Sequence, residues 1–281
     1  MRSPSFALFA FGYYVLAGLG VNLGYHRVLS HRSLKLTKWL ERALVTVGLP
    51  AGTPVQWAGN HRYHHQHADT ELDPHSPVHR GFWYAHVGWY LGSGNRLLCV
   101  LYCLAGPARM LVDAWMRPRT NQEHNYLAED VASDPWYAQM SRPRPYAVAM
   151  HLHAAIPAAV TWWFWGLGGV AGFWLTLVAL YNMGDAIDSV SHLYGTRLPG
   201  QTDSSRNGLL MGVLILGEGW HANHHRIPWS ARHGLTSREF DWTWQVIRGL
   251  RAIGLATDIR IPVAAGMVAM SRSEGRNNAG N

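Results

Sequence analysis

Residues 61–65 read HRYHH and residues 221–225 read HANHH, so the pattern H-x-x-H-H occurs twice in one chain. On an α-helix, positions i, i+3 and i+4 fall within about 60° of one another. His61, His64 and His65 therefore share one helix face, and His221, His224 and His225 share another. A third group, HRVLSH, sets His26 and His31 five apart. That spacing is about 140° around an α-helix, so these two reach different points unless the helix ends between them. DSVSH adds Asp188 and His192 at i, i+4. Nine histidines and one carboxylate could thus converge. Clustered imidazolium cations would repel one another, and bound metal is what keeps such a set neutral. Imidazole suits zinc, copper, iron and nickel. One zinc is saturated by four ligands, so nine nitrogens suit two ions with about four or five each. Two redox-active irons could activate dioxygen. No H-E-x-x-H occurs, and only Glu218 with His221 has the Glu-x-x-His spacing of the carboxylate-rich di-iron bundles. The expected site is histidine-rich. His67, His79, His86, His124, His151, His153 and His233 stand outside these patterns and read as ordinary interfacial residues.

The elements that must position these histidines are membrane-grade. Residues 5–24, SFALFAFGYYVLAGLGVNLG, are uncharged and long enough to cross a ~30 Å hydrocarbon core. They read as a retained anchor, lacking a small-residue cleavage site. Arg27, Arg32, Lys35, Lys38 and Arg42 follow, against Arg2 alone before, which puts the following end in the cytoplasm. Residues 146–187 make about 63 Å of helix, roughly two crossings, with a turn expected at GLGG, 166–169. This hairpin returns the chain at Asp188 to the side of the earlier histidines. Residues 39–58, 97–112 and 208–217 are weaker and read as interfacial or partly buried helices. Residues 117–145 read as a surface loop with short helices. The expectation is one domain over 1–265 and a disordered tail over 266–281.

Composition agrees. Mean hydropathy is near zero because apolar stretches alternate with His- and Arg-rich ones. Fourteen Trp fit membrane interfaces. The net charge of +7 gathers beside apolar segments and carries no nucleic-acid fold signature, so no nucleic-acid partner is expected. Cys99 and Cys103 form neither a disulfide framework nor a zinc spacing.

Taken with GYHRVLSH, HRYHHQHADTELDPHSP, GFWYAHVGW, SHLYG and GEGWHANHHRIPWSARHG, the three histidine groups resemble the boxes of integral-membrane fatty-acid desaturases, closest to the stearoyl-CoA (delta-9) branch. The resemblance covers about residues 20–260. It implies an all-α integral membrane protein with a cytoplasmic helical cap carrying a di-iron site. About three transmembrane helices are expected where the family usually has four, unless an N-terminal portion is missing. The resemblance also implies two Fe ions, with His26, His31, His61, His64, His65, His192, His221, His224 and His225 as ligands. Asp188 falls where relatives usually have an asparagine that holds an iron through water. No catalytic side chain beyond the metal site is implied.

The implied reaction inserts a cis double bond, delta-9 by resemblance, into a saturated acyl chain, using O2 and two electrons. A separate donor such as a ferredoxin or a cytochrome b5-type carrier would supply the electrons. Trp57 matches the branch, but Gly59 and Asn60 replace an Arg-Asp pair placed near CoA in animal members. The substrate is then an acyl-CoA, a lipid-bound acyl chain or an acyl-carrier protein thioester, met at membrane lipid. Trp57, Trp83 and Trp89 are candidates for lining an apolar tunnel. Arg27 and Arg62 are candidates for holding an acidic headgroup or attracting an acidic donor. Asp69 and Asp73 are candidates for hydrogen-bonding ligand imidazoles. Two rival readings remain: hydroxylation of an alkyl chain or sterol by the same metals, and a non-enzymatic metal-binding or transport membrane protein.

Overall fold

The protein is described by a computed structural model over residues 5–262. Its architecture is helical. The single sheet among the described residues pairs Lys35–Leu36 with Ala256–Thr257 antiparallel. Two helices, Phe6–Ser30 and Pro143–Leu193, are long and apolar enough to cross a membrane.

The first crossing is uniformly apolar as an α-helix over Phe6–Leu19 and continues without a break as a π-helix over Gly20–Ser30. It therefore runs past residue 24, where the uncharged stretch ends. Arg27 is tolerated in it because the side chain is fully enclosed and ion-paired. Next to it packs Lys38–Gly48. Glycine permits this approach: a Cβ on Gly20 would stand 2.7 Å from the Gly48 nitrogen, and one on Gly48 would stand 2.8 Å from the Gly20 carbonyl carbon. That crossing fixes the first histidine segment against the rest of the cap.

The second apolar element spans 51 residues, ~77 Å of helix, more than twice a hydrocarbon core. It is broken at Gly166, whose φ of 61° and ψ of −148° no helix contains. A straight rod would hold Ala154 and Leu177 about 35 Å apart. Both instead belong to one buried cluster with Met110, Phe173 and Tyr181, so the two legs lie side by side. The first crossing joins them near the turn, where Phe6 meets the Trp165 ring edge-on at 5.4 Å and Tyr13 meets Phe173 at 5.3 Å. Arg96–Cys103 and Pro107–Arg119 form a pair bent by 119°, an interrupted apolar segment that enters the bundle against the hairpin.

The histidine-bearing segments lie at the other end. Pro54–His67 starts on a proline at its first turn, where no N–H is needed, and carries the second group. His221–Arg226 carries the third. Asp241 caps Trp242–Ala252 by accepting from the Trp244 N–H at 2.9 Å. The largest buried apolar cluster, with Leu23, Tyr25, Val45, Val55 and Ile247, ties these elements together. Residues 266–281, expected as a tail, lie outside the described residues.

Candidate metal centre

The nine histidines form two adjacent groups. His26, His31, His61, His65 and His224 make one, and His64, His192, His221 and His225 make the other. Within each group the ligand atoms lie within 4.8 Å of one another. H-x-x-H-H does this on α-helix, by the i, i+3, i+4 face. The His26–His31 pair converges for another reason. The π-helix bonds i to i+5, so the His31 N–H donates to the His26 carbonyl at 3.1 Å and the rings stand 4.9 Å apart. The divergence expected of an α-helix is removed by this change of pitch.

The outer nitrogens are held by carboxylates. His64 Nδ1 is 3.0 Å from Asp73, His192 Nδ1 is 2.8 Å from Asp69, His225 Nδ1 is 3.3 Å from Asp203 and His26 Nδ1 is 2.7 Å from Glu218. Each such contact places the ring proton on Nδ1 and leaves the Nε2 lone pair bare. The Nε2 atoms of the nine rings then face each other in pairs. His64 and His225 Nε2 are 3.4 Å apart, His192 and His221 Nε2 3.1 Å, His26 and His224 Nε2 3.0 Å, and His31 and His61 Nε2 2.8 Å. For His64 and His225 both Nδ1 atoms face carboxylates, so with the rings neutral no proton lies between those two lone pairs. Two nitrogens each about 2.1 Å from one ion stand roughly 3.0–3.4 Å apart. The donor set fits a cation in each group.

Electrostatics point the same way. Burial pushes His31, His61, His65, His221, His224 and His225 well below the ordinary imidazole range, and neighbouring rings add to it. His64 moves up: burial opposes its cation, but the carboxylates of Asp73, Asp188 and Asp69 together outweigh it. Asp73 and Glu218 are held well below the carboxylate range, because facing histidines, and Arg27 for Glu218, more than offset their burial.

Asp69 also accepts from Ser76 and from the Ser204 N–H, which aims its second oxygen at His192. Trp57 stacks on His61 with centroids 4.9 Å apart. Asp188 is one turn before His192; its nearest ring nitrogen is His75 Nδ1 at 3.9 Å, and it borders a cavity without joining either group. Trp89 borders the same cavity, whereas Trp83 packs behind it on the Val87–Tyr90–Cys99 cluster.

The two arginines differ from their expected placement at a headgroup. Arg27 is 0% exposed, and its guanidinium donates to Glu218, to both oxygens of Asp241 and to the Ala231 carbonyl. It is an internal clamp, because the π-helix turns it away from the surface. Arg62 is spent on Asp130 and on the carbonyls of Leu29, Ser30 and Leu127, which brace the first histidine segment against Pro54–His67. His233 also departs from its reading as an interfacial residue. It is buried, with Nδ1 3.2 Å from Glu218 and its ring 4.5 Å from His224. His75 stacks on His64 at 4.4 Å. Glu218, Asp203, His75 and His233 come from loops or short turns, so no periodicity marks them.

The cavity beside the histidines is about 170 Å³ and mostly apolar. Its wall includes His26, His61 and His221 at one end and Tyr13 at the other. Tyr13 precedes His26 along one continuous helix by roughly 15–20 Å, so the cavity is elongated toward the hairpin turn.

The fatty acid desaturase family model matches residues 4–239. The chain belongs to the fatty acid desaturase family. Among its relatives in that family are the palmitoyl-monogalactosyldiacylglycerol delta-7 desaturase of Arabidopsis thaliana chloroplasts, 35% identical over 91% of this chain and 62% of the relative. The sn-1 stearoyl-lipid 9-desaturase of Anabaena variabilis is 34% identical over 89% of this chain and 81% of the relative. The acyl-CoA C20 Delta5-desaturase of Anemone leveillei is 35% identical over 90% and 73%. This desaturase-family chain spans 62% of the length of the two chloroplast relatives from Arabidopsis. The relatives are named for positions 5, 7 and 9.

Proposed function

We propose that this chain is a di-iron fatty-acyl desaturase that inserts a cis double bond, at delta-9, into a saturated chain. The observation that carries the reading is the His64–His225 pair, two bare Nε2 atoms 3.4 Å apart, next to a long apolar cavity. The nine histidines would hold two irons, one per group. Asp188 would complete the four-histidine group, directly or through a water, giving it a fifth donor like its neighbour. Bound irons supply the oxidising power toward an unactivated C–H bond that no side chain has.

The chain's own residues position and exclude. Asp69, Asp73, Asp203 and Glu218 lock four rings by their Nδ1 protons. Trp57, stacked on His61, fills the wall where substrate passes the centre. The cavity presents one methylene pair to the centre, and that registration supplies the specificity. Two hydrogens leave adjacent carbons. With O2, two electrons from a ferredoxin- or cytochrome b5-type donor and two protons, they become two waters.

Gly59 and Asn60 bear on the carrier. A Cβ on Gly59 would stand 2.5 Å from the His124 carbonyl oxygen, and Asn60 donates to the Gln56 and Asn121 carbonyls. Neither offers a cation to a CoA phosphate, which supports a lipid-bound acyl chain. The histidine end faces the cytoplasm in this reading, supported by Arg32, Lys35, Lys38 and Arg42 at that end. Fatty-acid analysis of a desaturase-deficient host tests the reading, with His64→Ala as control. A new cis monounsaturated acid from the parent alone is expected. An alcohol in its place, or accumulated protein with no product, overturns it.

A further inference from the structure

The cavity wall contains an ion pair that the metal site does not use. Arg109 sits on the bent apolar segment and Asp185 on the second leg of the hairpin, and both border the cavity. One guanidinium nitrogen donates to Asp185 Oδ2 at 2.6 Å and the other to Oδ1 at 3.1 Å, so the hold is two-pronged. The second nitrogen also reaches the Tyr90 hydroxyl at 2.6 Å, and Tyr90 donates to Asp185 Oδ1 at 2.6 Å. Arg109 stands over the Tyr102 and Tyr181 rings at 4.6 and 4.5 Å. Arg117, whose charge Asp113 balances at 3.5 Å, stands over the Tyr90 ring at 3.8 Å. Charges in this set cancel, two against two.

Two charges in a membrane-embedded wall are expensive, and a buried ion pair is poor at raising stability: apolar replacements of similar volume are often neutral or stabilising. The pair needs a reason other than stability. Its position gives one. Asp185 precedes His192 by seven residues, ~10 Å or two turns along the same helix. The pair therefore ties two elements of the cavity wall together about two turns from His192. A two-pronged ion pair that also holds the Tyr90 hydroxyl is stiffer than an apolar contact that slides. Selecting one methylene pair from a chain of identical methylenes requires such a wall, because a 1 Å misplacement costs on the order of 10²-fold in rate.

Building on the desaturase reading, we infer that the Arg109–Asp185 pair is a positioning device that fixes the register of the acyl chain and so the position of the double bond.

The test is the isomer ratio of the products in the same desaturase-deficient host, with double-bond positions located by mass spectrometry. The parent is expected to give one dominant positional isomer per chain length. Arg109→Leu with Asp185→Leu is expected to accumulate and to raise the minor isomers about tenfold relative to the dominant one, whatever its total yield. Arg109→Lys keeps the charge but loses the fork, and is expected to broaden the ratio less. A double variant with the parent's ratio overturns the inference. If the double variant does not accumulate, Arg109→Lys decides. A broadened ratio supports the inference, and a parent-like ratio or loss of protein shows a structural role and overturns it. A parent that makes no unsaturated product overturns the proposed function instead, which keeps the two failures distinct.

Discussion

The His31 N–H donates to the His26 carbonyl at 3.1 Å, an i to i+5 bond that turns two histidines from divergent to convergent. Eleven residues of π-helix, Gly20–Ser30, cover the segment whose histidine spacing would diverge on an α-helix. Short π-helical segments cost regular hydrogen-bond geometry and gather at functional sites. His31→Ala combined with His61→Ala leaves only three histidines in the five-histidine group and is expected to empty it while leaving the other occupied. Metal analysis of the purified protein should fall from about two ions per chain to about one. An unchanged count contradicts the grouping.

Asp73 and Asp69 would act on a bound metal through His64 and His192, the rings their carboxylates contact. Asp73→Asn keeps the shape and removes the charge. It is expected to lower metal affinity or activity by about 10–100-fold, with the protein still accumulating. Competition with a chelator reads this directly, and parent-like retention contradicts it.

Arg27 is an internal clamp on Glu218 and Asp241. Arg27→Leu leaves two buried carboxylates without their partner and is expected to cost about 3–5 kcal/mol. Arg27→Lys should recover little, since one ammonium cannot serve both acids as the fork does. Thermal melts of detergent-solubilised protein measure both. A stable Arg27→Leu protein would return this residue to a surface role.

The crossing of the first apolar helix over Lys38–Gly48 depends on missing side chains. Gly20→Ala puts a methyl 2.7 Å from the Gly48 nitrogen, and overpacking of this kind costs about 1–3 kcal/mol. Gly12→Ala, with nothing within 4 Å of the new Cβ, is the control and should melt like the parent. Equal melting temperatures for the two variants contradict a tight crossing.

These contrasts show what the sequence exposes. H-x-x-H-H is legible because α-helical pitch turns its spacing into one face, as His61, His64 and His65 display. The apolar segments are legible because bilayer thickness sets their length, and Gly166 marks the turn because GLGG can take a positive φ. His26 with His31 is not legible by the same rule, because a π-helix changes the pitch without a signal in residue type. Arg27 is misplaced for the same reason, its direction being set by that pitch. Glu218, Asp203, His75 and His233 reach the centre from turns whose path depends on tertiary packing. Arg109 and Asp185, 76 residues apart, meet only through the fold of the hairpin.

The central claim is that the two histidine groups each hold an iron. Anomalous scattering from crystals of the purified protein, collected on either side of the iron absorption edge, tests it most directly. Two peaks are expected, one amid His26, His31, His61, His65 and His224 and the other amid His64, His192, His221 and His225. A single peak, or density without an iron edge at either group, contradicts the account.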